Sequence, residues 1–335
     1  MRKAVVAAVA AAVLALTASG GSLAQADLVA AAKREGRLVL YGSLTTLDVV
    51  NKIFESRYGI PVEYWRAAST RVLDRVLNEV RAGRPQFDVA QTNSSPMMVL
   101  REAGAFARYA SPSYEMFSRA TRDPQNLVSP QFLVIPVGIV YNTRLVRPEE
   151  APRSLMDLLD PRWKGKVVMA DPTLHTTTAQ WLMELRRVLG NQWRPFLEGL
   201  AGQVGAYVES FIPVADRLVR GEFPVGLTYI RYVYQFGKEG APLDYVRLPV
   251  FLADGHRIAL GARAARPNAG KLYIETLLSR AGLLALAQDG DFVSLPGVYP
   301  PLKDADKLRI VTMQDYDEAA LTRAREELGR IFRRR

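Results

Sequence analysis

The chain has 335 residues, 49% of them apolar, a formal charge of +10 and no cysteine. Its length suits one large or two medium domains with real cores, and the missing thiols exclude disulfides, thiolate zinc sites, cysteine nucleophiles and an acylated N-terminal cysteine. The positive charge is spread along the sequence apart from the closing RIFRRR, so it does not form a nucleic-acid-binding stripe.

Residues 1–26 read as a cleaved secretory signal. Arg2 and Lys3 precede an unbroken small-apolar stretch over 4–16, and Ala24, Gln25 and Ala26 form a small-x-small cleavage site before Asp27. That stretch is too short for a spanning anchor. The expected product is a monomeric protein of a bacterial periplasm, without a lipid anchor.

A short helix over 27–35, closed by Gly36, leads into a buried strand at 37–41 (RLVLY). A helix over 46–57 and a strand at 61–65 follow. From Thr70 the residues Val72, Leu73, Val76, Leu77 and Val80 keep a helical rhythm, with Ser69 as cap and Gly83 and Pro85 as stops. A third strand at 87–92 runs into a helix that Ser95 caps and Pro96 opens. This βαβαβ order predicts a parallel sheet with helices on its faces. Ligands in such sheets sit beyond the strands' carboxyl ends. The stretches to search are Gly42-Ser43-Leu44-Thr45 and Asn93-Ser94-Ser95.

The apolar extended stretch 131–145 predicts a crossing into a second lobe. There a second alternating set follows: a strand at 166–170, a helix at 175–189, a helix at 213–220, a strand at 224–229 and a helix from about Ile230. A return crossing at 248–252, a strand at 257–262 and a largely helical segment at 267–287 complete the set. The basic tail reads as the solvated end of an amphipathic helix that starts near Tyr316.

Several of these stretches have a familiar form: LVLYGSLT, FDVAQTNSS, DLLDPRWKGKVVMADP and VRGEFPVGLTYIRYVYQFGKEGAP. Across nearly the whole mature chain the sequence resembles the periplasmic solute-binding proteins of ABC importers, in their ferric-iron-binding-like group. The resemblance implies a type II two-lobed periplasmic-binding fold. Each α/β lobe would hold a mostly parallel sheet flanked by helices, joined by hinge strands near 130–140 and 246–252. Lobe I would then comprise 27–136 and 248–300, and lobe II 137–247 and 301–335. The implied partners are a small-molecule ligand and an inner-membrane ABC permease, with no cofactor.

The group's iron binders use two adjacent tyrosines, often with a histidine and a glutamate. These positions fall here on Arg231 and Tyr232, on or near Thr45, and on Asn93. A permanent guanidinium is a poor neighbour for a trivalent cation. A slip of the alignment would pair Tyr232 with Tyr229 or with Tyr234, yet no carboxylate or imidazole is evident nearby in sequence. Tyr229 and Tyr232 are therefore the metal ligands only in a ferric alternative.

A small anionic organic solute, such as a carboxylate, phosphonate or sugar phosphate, suits these residues better. Arg231 offers a fork of N–H donors. Tyr229 and Tyr232 add hydroxyls. Asp171 to Thr178 (DPTLHTTT) leads into a helix whose free N–H groups and hydroxyls, at Thr173, His175, Thr176 and Thr177, make an anion site. From the facing lobe, Ser43, Thr45, Asn93 and Ser94 add neutral hydrogen-bonders.

Each residue has a structural alternative. Arg231 could be a surface residue paired with Glu239 or Asp244, and Thr176 to Thr178 only a capped helix start. Tyr234 reads as core, on another face of its helix. His175 and His256 are lone histidines of the hydrogen-bonded structural kind. Trp65 and Arg66 read as a packed indole beside a solvated arginine. A secreted hydrolase is a remote alternative, because no G-x-S-x-G, S-x-x-K or H-E-x-x-H frame occurs. The expected function is non-enzymatic solute capture by hinge closure.

Overall fold

A computed structural model describes residues 25–332. The expected signal core at 4–16 and the last three arginines, 333–335, lie outside the described residues. A helix α1 over residues 25–35 leads into β1 (Leu38–Gly42), α2 (Leu47–Tyr58), β2 (Val62–Arg66), α3 (Ser69–Arg81), β3 (Val89–Asn93) and α4 (Ser94–Glu102). The long strand β4 (Leu133–Asn142) opens the second set. It continues with β5 (Val167–Ala170), α5 (Thr176–Glu184), α6 (Arg186–Leu189), α7 (Trp193–Gln203), β6 (Val204–Val208), α8 (Phe211–Val219), β7 (Val225–Tyr229), α9 (Tyr232–Gly237) and β8 (Leu243–Tyr245). Then come β9 (Phe251–Leu260), α10 (Pro267–Leu278), α11 (Arg280–Gln288), β10 (Ile310–Thr312) and α12 (Glu318–Phe332).

The strands run in the order β2-β1-β3-β9-β4-β7-β5-β6, with β10 on β9 and β8 on β4. Parallel pairs β1–β2 and β1–β3 build one lobe, and parallel pairs β5–β6 and β5–β7 the other. Two ten-residue strands, β4 and β9, run antiparallel through the middle and belong to both. Residues Leu133 to Pro136 of β4 pair with β9, and Val137 to Tyr141 pair with β7. The changeover falls at Pro136, opposite Ala253. Proline has no N–H for a ladder rung; its carbonyl turns toward the other lobe and accepts from Ile230 N at 3.1 Å, while the Ala253 carbonyl accepts from Met313 N at 2.9 Å. Each lobe thus packs its own helices, while two continuous strands connect them.

The helical rhythm after Thr70 translates directly into packing. Val72, Leu73, Val76 and Leu77 are buried on one face of α3, against the lobe that β1 and β3 build. Such apolar burial contributes about 25 cal/mol per Å² removed from water.

Several expectations require correction. Ser69 and Ser95 are not caps: α3 starts at Ser69 after Ala68, and α4 starts at Ser94 after Asn93. Ser95 instead accepts from Tyr316 N at 2.9 Å, tying the segment before α12 to α4. The crossing at 248–252 and the strand at 257–262 are one strand, β9, running through Asp254 and Gly255. Asp and Gly disfavour strands, but cross-strand partners satisfy Asp254 here. Helix α7 and strand β6 went unread between 190 and 208.

Candidate functional site

A cleft of about 340 Å³ lies between the lobes. Ala68, Asn93, His175 and Ser210 all line it, and these are the residues that precede α3, α4, α5 and α8. Four helix N-termini therefore open onto one space. The first-turn N–H groups of a helix have no partner within it and carry partial positive charge. No side chain caps α3, α4 or α8. Helix α5 is partly self-capped, because His175 accepts from Thr178 N at 3.3 Å.

The mouth of the cleft is charged and wet. Arg66 is exposed at the end of β2 and has no carboxylate partner among the described residues. Arg71, on the first turn of α3, reaches across to Glu209 at 2.9 Å, with both side chains mostly exposed. Trp65 lies half-buried on the wall, with the Arg75 guanidinium 4.3 Å above its ring. The indole is thus packed, as its sequence context suggested, and it also lines the cleft.

Deep in the cleft the charges are paired internally. Arg231 is 1% exposed and its Nη1 contacts Asp291. Burial opposes that charge, but Asp291 outweighs the penalty and raises the pKa, so the guanidinium stays protonated. This corrects the surface alternative: Arg231 pairs with neither Glu239 nor Asp244. Asp254, on β9, lies beneath the lining. Its Oδ2 accepts from Asn93 Nδ2, from Thr177 Oγ1 at 2.9 Å and from Tyr229 Oη at 2.9 Å. One carboxylate oxygen therefore holds β3 of one lobe together with α5 and β7 of the other. Desolvation pushes the Asp254 carboxyl up to about 7 despite those three donors. The expectation that no carboxylate or imidazole lies near the tyrosines is overturned by Asp254, Asp291 and His256.

Of the residues singled out in sequence, Ser43, Asn93, His175, Thr177, Tyr229, Arg231 and Tyr232 all line the cleft. Thr45, Ser94, Thr173 and Thr176 are not part of the lining. Thr45 precedes α2, and its buried hydroxyl has no partner. Ser94 accepts from Arg257 Nε at 2.7 Å, a structural bond. Thr173 Oγ1 donates to Asp171 at 2.6 Å. The Thr176 hydroxyl accepts from Arg325 of α12 at 2.7 Å and lies 3.1 Å from the Thr70 hydroxyl of the other lobe.

Burial raises the pKa of both Tyr229 and Tyr232, so both phenols keep their protons. Their ring centroids are 6.0 Å apart. His175 is pulled down to about 3 by desolvation and stays neutral.

Sequence reading missed Gln91, Asp254 and Asp291 and the cleft-facing start of α8, and it took His256 as structural although it lines the cleft. A period-two polar signal was present. Gln91 and Asn93 share one face of β3, and Asp254 and His256 share one face of β9, with Asn93 opposite His256 in the ladder. The start of α8 was hidden because β6, which delivers it, went unread.

A family model described as bacterial extracellular solute-binding protein matches residues 38–290. An uncharacterized protein of Haemophilus influenzae is 27% identical over 316 residues, covering 89% of this chain and 90% of that one. The periplasmic binding protein AfuA of Actinobacillus pleuropneumoniae, with exogenous fructose-6-phosphate bound, superposes with a TM-score of 0.77 at 24% identity, over 90% of this chain and 99% of AfuA. Iron-bound HitA from Pseudomonas aeruginosa superposes with a TM-score of 0.70 at 20% identity, over 89% and 98%. At such identities the two structures speak to the fold, which is the two-lobed periplasmic-binding arrangement.

Proposed function

Because the chain belongs to the bacterial extracellular solute-binding proteins, we propose that it is the periplasmic receptor of an ABC importer and captures a small anionic organic solute. The observation that carries this reading is the convergence of four helix N-termini on one interlobe cleft. Backbone N–H groups and helix dipoles favour a phosphate, phosphonate or carboxylate. Arg66 adds an uncommitted cation at the mouth. Hydroxyls and amides of Ser43, Asn93, Thr177, Tyr229 and Tyr232 suit an oxygen-rich organic body.

Closure needs no covalent chemistry. The solute binds one wall, and the other wall adds contacts that favour the closed state. Arg71–Glu209, Thr70–Thr176 and Asn93–Thr177 are contacts between the walls of this kind. A permease that recognises the closed form completes delivery. Ferric capture is disfavoured, because a permanent guanidinium lies 5.7 Å from the Tyr229 ring and 5.3 Å from the Tyr232 ring, beside any cation they would hold.

Phosphorylated sugar is the ligand class to test first, since a neighbour of the same fold carries fructose-6-phosphate. Fructose-6-phosphate should raise the melting temperature, with fructose and ferric citrate inert. A response to ferric citrate alone, with a visible tyrosinate absorption band, would overturn the anionic reading.

A further inference from the structure

The floor of the cleft contains two buried N–H donors that the fold leaves unused. Gln91 fixes the first. Its Oε1 accepts from the backbone N–H of Ser43 at 3.2 Å and of Leu44 at 3.4 Å. Gly42 makes room for this: a Cβ there would meet Gln91 Oε1 at 3.1 Å and the Tyr64 hydroxyl at 3.0 Å. With Oε1 engaged by two donors, Nε2 is the amide NH2. It faces His256 Nδ1 at 3.0 Å. An NH2 group can only donate, so Nδ1 accepts, and in a neutral imidazole the proton then sits on Nε2. Burial, reinforced by Arg231, holds His256 neutral. Its Nε2 is buried without a partner among the described residues, and His256 lines the cleft.

Arg231 supplies the second donor. Its Nη1 is committed to Asp291, whose other oxygen accepts from Thr46 Oγ1, so the ion pair is held in place from behind. Its Nε is buried and has no partner among the described residues, and Arg231 too lines the cleft. A buried donor left unpaired destabilises the fold. Two such donors at the floor of one binding cleft therefore point to a ligand that satisfies them.

We propose that His256, locked by Gln91 in the tautomer that carries its proton on Nε2, is the specificity-determining residue that donates to a neutral oxygen of the ligand. Arg231 Nε–H is the second donor to the same end of the ligand. This deepens the anionic-solute reading and rests on it: the charged head group lies at the helix N-termini, and an uncharged hydroxyl, carbonyl or ring oxygen lies on the floor. Because Asp291 balances Arg231, the floor selects by hydrogen bonding rather than by net charge. The same lock works against metal capture. Coordination through Nε2 would move the proton to Nδ1 and set it against the Gln91 NH2.

Two measurements test this. Nitrogen-15 NMR of the ligand-free protein should show a pyrrole-type Nε2 and a pyridine-type Nδ1 for His256; the reverse assignment overturns the proposal whether or not any anion binds. Calorimetry should then compare sorbitol 6-phosphate, which carries neutral oxygens, with methyl phosphate, which carries almost none. His256→Phe should weaken sorbitol 6-phosphate by about fivefold or more and leave methyl phosphate unchanged, and His256→Gln, which keeps a side-chain N–H, should recover part of the loss. Equal weakening of both probes by His256→Phe, with its melting temperature intact, overturns the proposal. Failure of both phosphates to bind the unmodified protein sinks the anionic reading instead, and the NMR assignment still decides the tautomer.

Discussion

The mouth and the floor of the cleft both contain arginine, but in opposite circumstances. At the mouth, Arg66 is solvated and uncommitted, while Arg71 pairs with Glu209 through water-exposed atoms. At the floor, Arg231 is sealed from water and its charge is balanced by Asp291. An exposed cation keeps its field available for a passing anion, weakened by screening. A buried one must be compensated by the fold itself, because an unpaired buried charge is very costly. Under the proposed function the mouth would attract by charge, and the floor would discriminate by shape and hydrogen bonding.

The largest effect should come from breaking the floor pair. Asp291→Ala leaves the Arg231 charge uncompensated, and urea denaturation should show a loss of about 3–5 kcal/mol. Added phosphate should restore part of it by binding the freed guanidinium. A change below about 1 kcal/mol would mean that the floor charge is solvated after all.

Asp254 comes next. Its folded pKa of about 7 lies above the unfolded value of about 3.9. Between those two values the folded chain holds a proton that the unfolded chain has lost, so this group's contribution to stability falls as pH rises through the window. The groups that act on it are Asn93, Thr177, Tyr229 and the more distant Asp315. Asp254→Asn keeps an acceptor for these donors and removes the titration. Its stability relative to the unmodified protein should improve from pH 5 to pH 8 in paired denaturation curves. Parallel pH profiles would remove Asp254 from the account.

At the mouth, Arg66→Ala should weaken binding of a phosphate ester by about 1 kcal/mol, roughly fivefold, in calorimetry. The loss should shrink with added salt and leave folding stability unchanged. The smallest effect belongs to Glu209→Ala. An exposed ion pair contributes about 0.2–1 kcal/mol, and the melting temperature should barely move. A large destabilisation there would show that the mouth is less solvated than the floor comparison implies.

The first lobe was legible in sequence almost element by element, because its strands and helices alternate with clear periodicities, as in α3. The cleft was legible where lining residues sit at the ends of strands, as at Ser43, Asn93 and Tyr229. It was not legible where polar groups interrupt a buried strand. Asp254 and Gly255 look like a loop in isolation, and only their cross-strand partners make β9 continuous. Arg231 was recognised as facing inward, but its partner Asp291 lies sixty positions away, and no local pattern could reveal that the charge was already balanced.

The first residues of β9, opposite the proline of β4, are joined to the far end of the polypeptide. The Ala253 carbonyl faces away from Pro136 and accepts from Met313, the residue that follows β10. The C-terminal segment is thus stitched into the strand that runs between the two lobes. A protein truncated before Ile310 would lose more than a surface helix: the central strand would lose its partner along Phe251 to Ala253.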